Sequence, residues 1–338
     1  MSNYIKKHKP EWEELERLVA RANASVKTMN FDELERLDTL YRKATIHLAQ
    51  VSTRTRDANL IRYLNDLTAA AHSIIYVAPK PQPAQLVWNF LTEGFARSIA
   101  RTWKFHAASV LLMVLGALVA YFAVQHDPAA AYALLPAQEE RLPGSTREQL
   151  LSALRHGRDQ DGGGKFFFAS FLFSHNLNVG FLTLALGVLA AVPSVFLIVY
   201  NGMLVGAFTA VHHGAGIYTE YWAWILPHGV TELSAIALAG GGGLLLGRAV
   251  VCPGTLSRTE SLHRAGLEAV RICFGIGLML LCAGGIESYL RQSHLPLESR
   301  FAFAGATALF WGLYFWRGFV IERNARVLDA TPFQKQPA

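Results

Sequence analysis

The sequence predicts an all-α fold: a polytopic helical membrane protein of about six spans, preceded by a soluble three-helix bundle. Hydrophobic residues make up 52% of the 338 residues and charged residues 17%, whereas soluble domains carry about 25% charged residues. The charges are also unevenly distributed. Glu, Arg and Lys crowd the first 80 positions, and long charge-free runs dominate from about residue 106 onward. This asymmetry indicates a soluble head on a membrane body.

Residues 1–80 are predicted to form a cytosolic helical domain. Three segments place apolar residues at helical spacing with charged residues on the opposite faces, and their helices start near Pro10, Asn30 and Asp57. The apolar stripes comprise Leu15, Leu18, Val19 and Ala22; Leu34, Leu37, Tyr41 and Leu48; and Ile61, Leu64, Leu67 and Ala71. This pattern is typical of a small helical bundle that binds no small molecule.

Residues 84–104 are predicted to form an amphipathic helix in the membrane interface. The apolar stripe comprises Trp88, Leu91, Phe95, Ile99 and Trp103, and the residues off it include Glu93, Arg97, Arg101 and Lys104. Tryptophan prefers the headgroup level, and basic side chains attract anionic lipid. The residues expected at the membrane surface are therefore Trp88, Trp103, Arg97, Arg101 and Lys104. The alternative is that this segment is only a cytoplasmic extension of the first span.

Residues 106–320 are predicted to form the transmembrane domain. The hydrophobic runs place spans at about 106–124, 176–199, 202–217, 223–246, 266–286 and 301–320, against the ~20 residues that a crossing needs. The short run at 202–217 either crosses or re-enters, so the sequence allows six spans or four.

The distribution of basic residues predicts the orientation. Clusters of Arg and Lys lie near 97–104, 248–264 and 317–326, whereas the loop 125–165 holds more acidic than basic residues. The positive-inside rule then places that loop in the periplasm. Both termini, including a tail at 321–338, are expected in the cytoplasm.

Polar residues inside the predicted spans form two small-residue stripes. His228, Thr231 and Glu232 lie on the fourth span, while Asn176 lies on the second and Asn201 follows it. Ionisable groups inside a membrane usually face the bundle interior, and residues four apart share a helix face. We interpret them either as a pairing that fixes the bundle or as a site for a substrate, proton or ion. Close helix packing is predicted at two GxxxG pairs, Gly202 with Gly206 and Gly243 with Gly247.

The sequence predicts neither an enzyme nor a cofactor. The His-x-x-x-Glu element supplies only two ligands, so we expect no metal. The chain contains no Gly-x-Ser-x-Gly, P-loop or dinucleotide fingerprint. The net charge of +6 is not gathered in a basic stripe with interleaved aromatics, so nucleic acid is not an expected partner.

Several motifs resemble the stage II sporulation protein M family. They are Asn178-Val-Gly180, Asn201-Gly202 with Gly206, and Ile225-Leu-Pro-His-Gly-Val-Thr-Glu232 followed by a small-residue helix. The head is similar to the longer, non-sporulation branch in Leu37-Asp-Thr-Leu-Tyr-Arg42, Tyr63-Leu-Asn-Asp-Leu67 and Ala71-His72 ahead of Tyr76. The resemblance marks Asn178, Asn201, His228 and Glu232 as motif residues but supplies no reaction for them.

The resemblance implies a function in assembly. The founding proteins are membrane scaffolds that work with peptidoglycan-degrading partners, and the longer branch is encoded near MoxR-type ATPases, DUF58 proteins and RDD-type membrane proteins. We therefore expect a homo-oligomeric scaffold or assembly subunit in the bacterial inner membrane, in contact with lipid, whose head is the docking surface. The alternative is a transporter or channel subunit that moves a solute past the Asn/His/Glu site.

Overall fold

The computed structural model describes residues 2–55, 57–76, 82–136, 141–155, 162–291 and 293–330. Within these ranges the regular structure is helical and contains no strand, so the all-α prediction is confirmed. The helices are α1 (Ser2–Ser25), α2 (Phe31–Arg54), α3 (Ala58–Tyr76), α4 (Pro83–Asn89), α5 (Phe95–Arg101), α6 (Trp103–His126), α7 (Ala130–Leu134), α8 (Arg147–Arg155), α9 (Gly162–Ala185), α10 (Val192–Gly214), α11 (Tyr218–Val251), α12 (Arg258–Ile286) and α13 (Leu297–Ala330). Two π-helical turns are also present, Phe90–Gly94 and Glu287–Arg291.

The chain divides into two compact units, Met1–Gln85 and Leu86–Ala338, here called the head and the body. The head is a bundle of α1, α2 and α3 whose core is built from interdigitated side chains. The largest fully buried side chains of the head are Leu15, Leu37, Leu40 and Leu64. The first helix begins at Ser2 rather than after Pro10, and this proline lies inside it.

The second head helix begins with a capping box. The Asn30 side chain accepts from the Glu33 backbone N–H at 2.8 Å, and the Glu33 carboxylate accepts from the Asn30 N–H at 3.0 Å. These two bonds satisfy backbone donors that the first helical turn would otherwise leave unpaired. The predicted helix start near Asn30 is therefore confirmed.

The body contains four helices that are long and apolar enough to cross a membrane. Among the described residues they are Trp103–His126, Val192–Gly214, Tyr218–Val251 and Arg258–Leu290. The predicted last span, 301–320, lies within α13, which continues as a helix to Ala330 and so into the predicted tail. Residues 331–338 of that tail lie outside the described residues.

The predicted spans at 176–199 and 202–217 are wrong in their boundaries. The helix α9 ends at Ala185, and a tight turn leads directly into α10. Pro193 occupies the first turn of α10, where its missing N–H costs no helical bond and its fixed φ favours helix initiation. It therefore starts a helix instead of kinking one, and residues 202–214 belong to a single span-length helix.

The run of glycines from Gly240 to Gly243 lets α11 contact its neighbours on several sides. A Cβ at Gly240 would overlap Ser109 and Ile198, and one at Gly241 would overlap His106. A Cβ at Gly243 would lie 2.5 Å from the Thr183 carbonyl oxygen. Because only glycine leaves this space, helices from three parts of the chain reach the axis of α11.

The contact between α6 and α10 is equally close. Cβ atoms at Gly202 and Gly206 would overlap the carbonyl oxygens of Met113 and Ala117. On the other helix, a Cβ at Gly116 would overlap the Val199 carbonyl. Glycines on both helices thus allow backbone-to-backbone contact across this crossing.

The predicted loop 125–165 contains folded structure. Its short helices α7 and α8 pack on the ends of α6 and α10 and the start of α11 through a second apolar cluster, which includes Leu135, Leu150 and Tyr221. Arg141 lies over the Phe208 and Trp224 rings at 4.6 and 5.2 Å from their centroids. Residues 137–140 and 156–161 of the loop lie outside the described residues.

Candidate functional site

A group of three ionisable side chains in the described body lies on α11 and directly after α12. His228 and Glu232 are one turn apart on α11, as the sequence predicts, and Glu287 from the π-helical turn after α12 completes the group. His228 Nε2 lies 3.7 Å from a Glu287 carboxylate oxygen. One ligand atom of each side chain lies within 4.8 Å of the other two. We call these three residues the polar cluster.

Burial differs within the polar cluster. His228 and Glu287 are 4% and 5% exposed, whereas Glu232 is half-buried. A buried carboxylate is costly inside a membrane unless a proton, a cation or hydrogen bonds compensate it. The cluster therefore combines two enclosed groups with one that has access to the surroundings of the body.

Glu287 is the functional candidate that sequence reasoning missed. The predicted span ends at residue 286, so Glu287 falls outside it. In the structure the helical path continues through the π-turn Glu287–Arg291, which brings this carboxylate back against α11. π-Helical turns occur frequently at functional sites. The available signal was the position of a single carboxylate directly after a charge-free run.

Two aromatic side chains support the polar cluster. The Trp311 indole N–H donates to the Thr231 hydroxyl at 3.0 Å and so ties α13 to α11. The Trp224 ring packs edge-on against His228 with a centroid distance of 6.0 Å. Thr231 itself is buried. These contacts fix α11 beside the cluster and restrict the orientation of the imidazole.

The asparagines predicted for the same site are placed differently. The Asn201 amide donates to the Leu197 carbonyl at 2.8 Å, one turn earlier on its own helix. On α9, Asn176 is half-buried and Asn178 is exposed. No described contact brings these three side chains to His228 or Glu232. The structure therefore assembles the His/Glu part of the predicted site with Glu287 added.

Two groups of described residues have the donor types and spacing for a metal ion. One is the polar cluster, where Glu287 raises the ligand count above the two on which the sequence expectation rested. The other comprises His8, Glu11 and His47 in the head. There, Glu11 accepts from Lys43 at 2.7 Å and the Trp12 indole N–H donates to His47 Nδ1 at 3.1 Å. Both interactions compete with metal ligation, so the head group is the weaker candidate.

The predicted amphipathic segment 84–104 follows a helical path through α4, a π-helical turn and α5, and its last residues begin α6. Phe95 and Ile99 of its apolar stripe are buried in the body core. Trp88, Trp103 and Lys104 are exposed, which leaves them free for the predicted surface role. The second half of the segment packs against α13 and α12 because its small and apolar residues fit that groove.

The arginines of this segment contribute to a cleft of about 810 Å³ in the body. Four arginines line it, Arg97, Arg101, Arg271 and Arg317, together with Glu93. We call it the arginine cleft. Sequence reasoning selected Arg97 and Arg101 but not Arg271 or Arg317, since the latter two come from α12 and α13 and show no local pattern.

Carboxylates hold these arginines in place. Glu268 accepts from Arg101 at 2.7 Å and from Arg271 at 2.9 Å. Burial disfavours ionisation of Glu322, but the charges of Arg101 and Arg97 outweigh it and keep the pKa of this carboxyl below its usual value. Glu322 is therefore held as a carboxylate at neutral pH, and the ion pairs of this network tie α5, α12 and α13 together.

Helices of span length around a buried ionisable cluster define the class: this is a polytopic α-helical membrane protein. The sequence model of stage II sporulation protein M matches residues 109–291, more than half of the chain. A model of a domain of unknown function, DUF8413, matches residues 2–77. No curated protein and no solved structure matches.

The chain therefore belongs to the stage II sporulation protein M family, as its motifs predict. The matched region contains all of the polar cluster, whereas three segments that build the arginine cleft (α4, α5 and α13) lie outside it.

Proposed function

We propose that this chain is a non-enzymatic scaffold or assembly subunit of the bacterial inner membrane. The observation that carries the proposal is the interlocked packing of the body, in which glycines of α6, α10 and α11 let backbones touch. Contacts of this kind leave little freedom for helices to slide, because each glycine faces a fixed backbone or side chain of its neighbour. A rigid body that carries a separately packed helical head suits an anchoring role.

The head is the proposed docking surface. A shallow groove of about 600 Å³ on α1 and α2 is lined by charged residues, among them Glu14, Arg17, Asp32 and Arg36. Mixed charge of this kind favours specific recognition through complementary potentials. The resemblance suggests partners of the MoxR-type ATPase, DUF58 or RDD class.

Quantitative co-purification from native membranes tests this docking role. The tagged full-length chain is compared with Arg17→Glu, at an exposed groove residue, and with Lys6→Glu, an equal charge change on α1 outside the groove. We expect one set of proteins to be retained by the wild type and by Lys6→Glu and to be reduced by Arg17→Glu. Equal recovery with all three chains would show that the groove is not the docking surface.

Orientation is part of the proposal: both termini in the cytoplasm and the loop 125–165 in the periplasm. Membrane-impermeant maleimide labelling of whole cells tests it with two single-cysteine chains. The first carries Glu148→Cys on the exposed face of α8 and lacks the native cysteines. The second keeps only Cys252, which is exposed in the connection after α11. We expect labelling of the first chain in intact cells and of the second only after permeabilisation; the opposite result would invert the topology.

Self-association is also proposed, through surfaces other than the glycine-rich helix faces. Gly202, Gly206 and Gly243 contact helices of the same chain. A homo-oligomer would then form through outward-facing apolar surfaces such as that of α6, where Val119 and Phe122 are 62% and 63% exposed. A detergent-corrected mass in nanodiscs measures this; a monomer in several mild detergents and in nanodiscs would oppose it.

A second candidate function is ion or proton movement, which the polar cluster favours. Purified protein in proteoliposomes is given proton and divalent-cation gradients, and fluxes are compared between the wild type and Glu287→Gln, which preserves shape and removes charge. A scaffold predicts equal background flux from both. A flux that depends on Glu287 would replace the scaffold proposal by transport.

A further inference from the structure

We propose that the arginine cleft binds the phosphate group of an anionic phospholipid. This inference goes beyond the scaffold proposal and does not depend on it, because it concerns what the body itself recognises. It rests on the charge of the cleft, on how its charged groups are layered, and on the apolar surface that leads away from it.

The charge of the network is positive. Its five arginines are those lining the cleft and Arg326, which lies 3.5 Å from Glu322. They share three carboxylates, those of Glu93, Glu268 and Glu322. Arginines exceed carboxylates by two, and each guanidinium has five N–H donors. A phosphate could therefore add charge-assisted hydrogen bonds without breaking the existing ion pairs.

The charged groups are layered so that the donors are on the outside. The side chains of Glu322 and Glu268 are 13% and 20% exposed, while those of Arg271 and Arg317 are 52% and 53% exposed. The partly buried Glu268 holds the Arg271 guanidinium, and Glu93, which is 45% exposed, holds that of Arg317. Guanidinium groups that are already held lose less entropy when a ligand is bound. The Arg317 guanidinium is held further by a bond of 2.9 Å to the Thr92 carbonyl.

The surface next to the cleft fits a lipid rather than a soluble phosphate compound. Leu267, Val270 and Phe274 are more than half exposed and lie on α12 beside Arg271. They begin an outward-facing apolar stripe on this span-length helix, and Leu281, 56% exposed, continues it. Trp88, 67% exposed at the mouth of the cleft, is the residue type that prefers the headgroup level. A polar phosphate site that opens onto an acyl-chain surface is the arrangement a glycerophospholipid requires.

The net positive charge selects among phospholipids. Phosphatidylglycerol brings one negative charge, whereas phosphatidylcholine carries a quaternary ammonium that offsets its phosphate and would face guanidinium groups. The charge-assisted bonds to phosphate should therefore favour the anionic lipid. Each arginine that contacts the phosphate is expected to contribute about tenfold to affinity.

The test uses the full chain in detergent micelles, titrated with either phosphatidylglycerol or phosphatidylcholine. Native mass spectrometry measures the lipid retained per chain, and thermal unfolding measures stabilisation. Phosphatidylglycerol should be retained and should raise the midpoint for the wild type. Arg271→Gln and Arg317→Gln should each weaken retention about tenfold, and the double variant should abolish the stabilisation.

Arg264→Gln is the matched control, because Arg264 lies on the same helix, is 65% exposed and pairs only locally with Glu260 in the described structure. It should behave as the wild type does. Equal retention of both lipids, or equal loss with Arg264→Gln, would overturn the proposal.

Inorganic phosphate, added without lipid, distinguishes the source of the anion. If it stabilises the wild type as strongly as phosphatidylglycerol does, and cleft variants abolish the effect, the site is specific for a soluble anion and the lipid assignment is wrong. Because retention is measured on purified protein, a negative result here leaves the scaffold proposal standing.

Discussion

Helices pack closely in both the head and the body, but the residues that allow this packing are of opposite kinds. In the head, large side chains such as Trp12, Leu37 and Leu64 interdigitate. In the body, Gly206 and Gly243 bring backbones together. Water drives burial of apolar surface in the head, but lipid is as apolar as leucine, so helices in a membrane gain more from close van der Waals contact. Removing volume should therefore damage the head, and adding volume should damage the body.

The largest effect is expected from a truncation in the head core. Leu37→Ala removes a side chain that is 1% exposed, and such a cavity costs about 2–5 kcal/mol. The matched control is Leu34→Ala on the same helix, where the side chain is 37% exposed and the loss should stay below about 1 kcal/mol. Hydrogen exchange of α2 peptides in the full chain measures both. Similar losses would show that this stripe is not the core.

The opposite change is expected to damage the body. Gly206→Ala would place its Cβ against the Ala117 backbone, and such overpacking costs about 1–3 kcal/mol. The control is Gly277→Ala on α12, which has nothing within 4 Å of the new Cβ and should be neutral or stabilising by up to about 1 kcal/mol. Thermal unfolding in one detergent compares them. If both variants unfold like the wild type, the helices are not in backbone contact.

The sequence predicts features that depend on one helix better than features that depend on contacts between distant segments. The head stripes and the Asn30 cap are local patterns of one helix, and the sequence predicts them, except that Leu34 of the second stripe is exposed rather than buried. His228 and Glu232 also share a turn. The contribution of Glu287 depends on how two distant segments meet, and its position after a charge-free run does not identify the helix that it contacts.

The boundary errors have a similar cause. Residues 176–199 look like one continuous apolar run, because lipid-facing helices and the turn between them have similar composition. Only the backbone conformation shows that Gly187, Ala190 and Ala191 form a turn. The glycine run at 240–243 allows close packing, but the partners that fill the space, such as His106, come from elsewhere in the chain.

The stability of the head should depend on pH. Burial lowers the pKa of His47 below 6.5, with the positive charges of His8 and Lys43 acting in the same direction and Glu11 opposing them. Tyr4 and Trp12 complete its surroundings without carrying charge. The unfolded chain therefore binds the proton first as pH falls. Stability should be constant above the ordinary histidine range, decline as pH falls through 6.5, and level off below the folded pKa.

His47→Gln should remove that decline while keeping an acceptor for the Trp12 indole. His72→Gln, at an exposed position on α3, should not. Hydrogen exchange of α1 and α2 peptides between neutral pH and pH 5 measures the effect. A second loss of stability is expected only below about pH 4.5, since the hydrogen bond from Lys43 lowers the pKa of Glu11. Amide protection that is independent of pH down to that point, after correction for the pH dependence of the intrinsic exchange rate, would contradict the assigned role of His47.

The smallest effect is expected in the turn between α9 and α10, where alanine rather than glycine occupies two left-handed positions. Ala190 and Ala191 adopt φ values of 57° and 62°, a left-handed conformation that costs an L-residue about 1–2 kcal/mol. Ala191 contacts Gly247, but Ala190 is exposed, so Ala190→Gly should relieve strain without losing packing.

Glycine loses about 0.5–1 kcal/mol in chain entropy, which leaves a net stabilisation of up to about 1.5 kcal/mol. Ala185→Gly, at the helical end of α9 with φ −66°, should instead destabilise by about 1 kcal/mol. Midpoints of thermal unfolding in one detergent should thus move in opposite directions. If Ala190→Gly also lowers the midpoint, this turn is not strained and another feature of 186–191 sets its conformation.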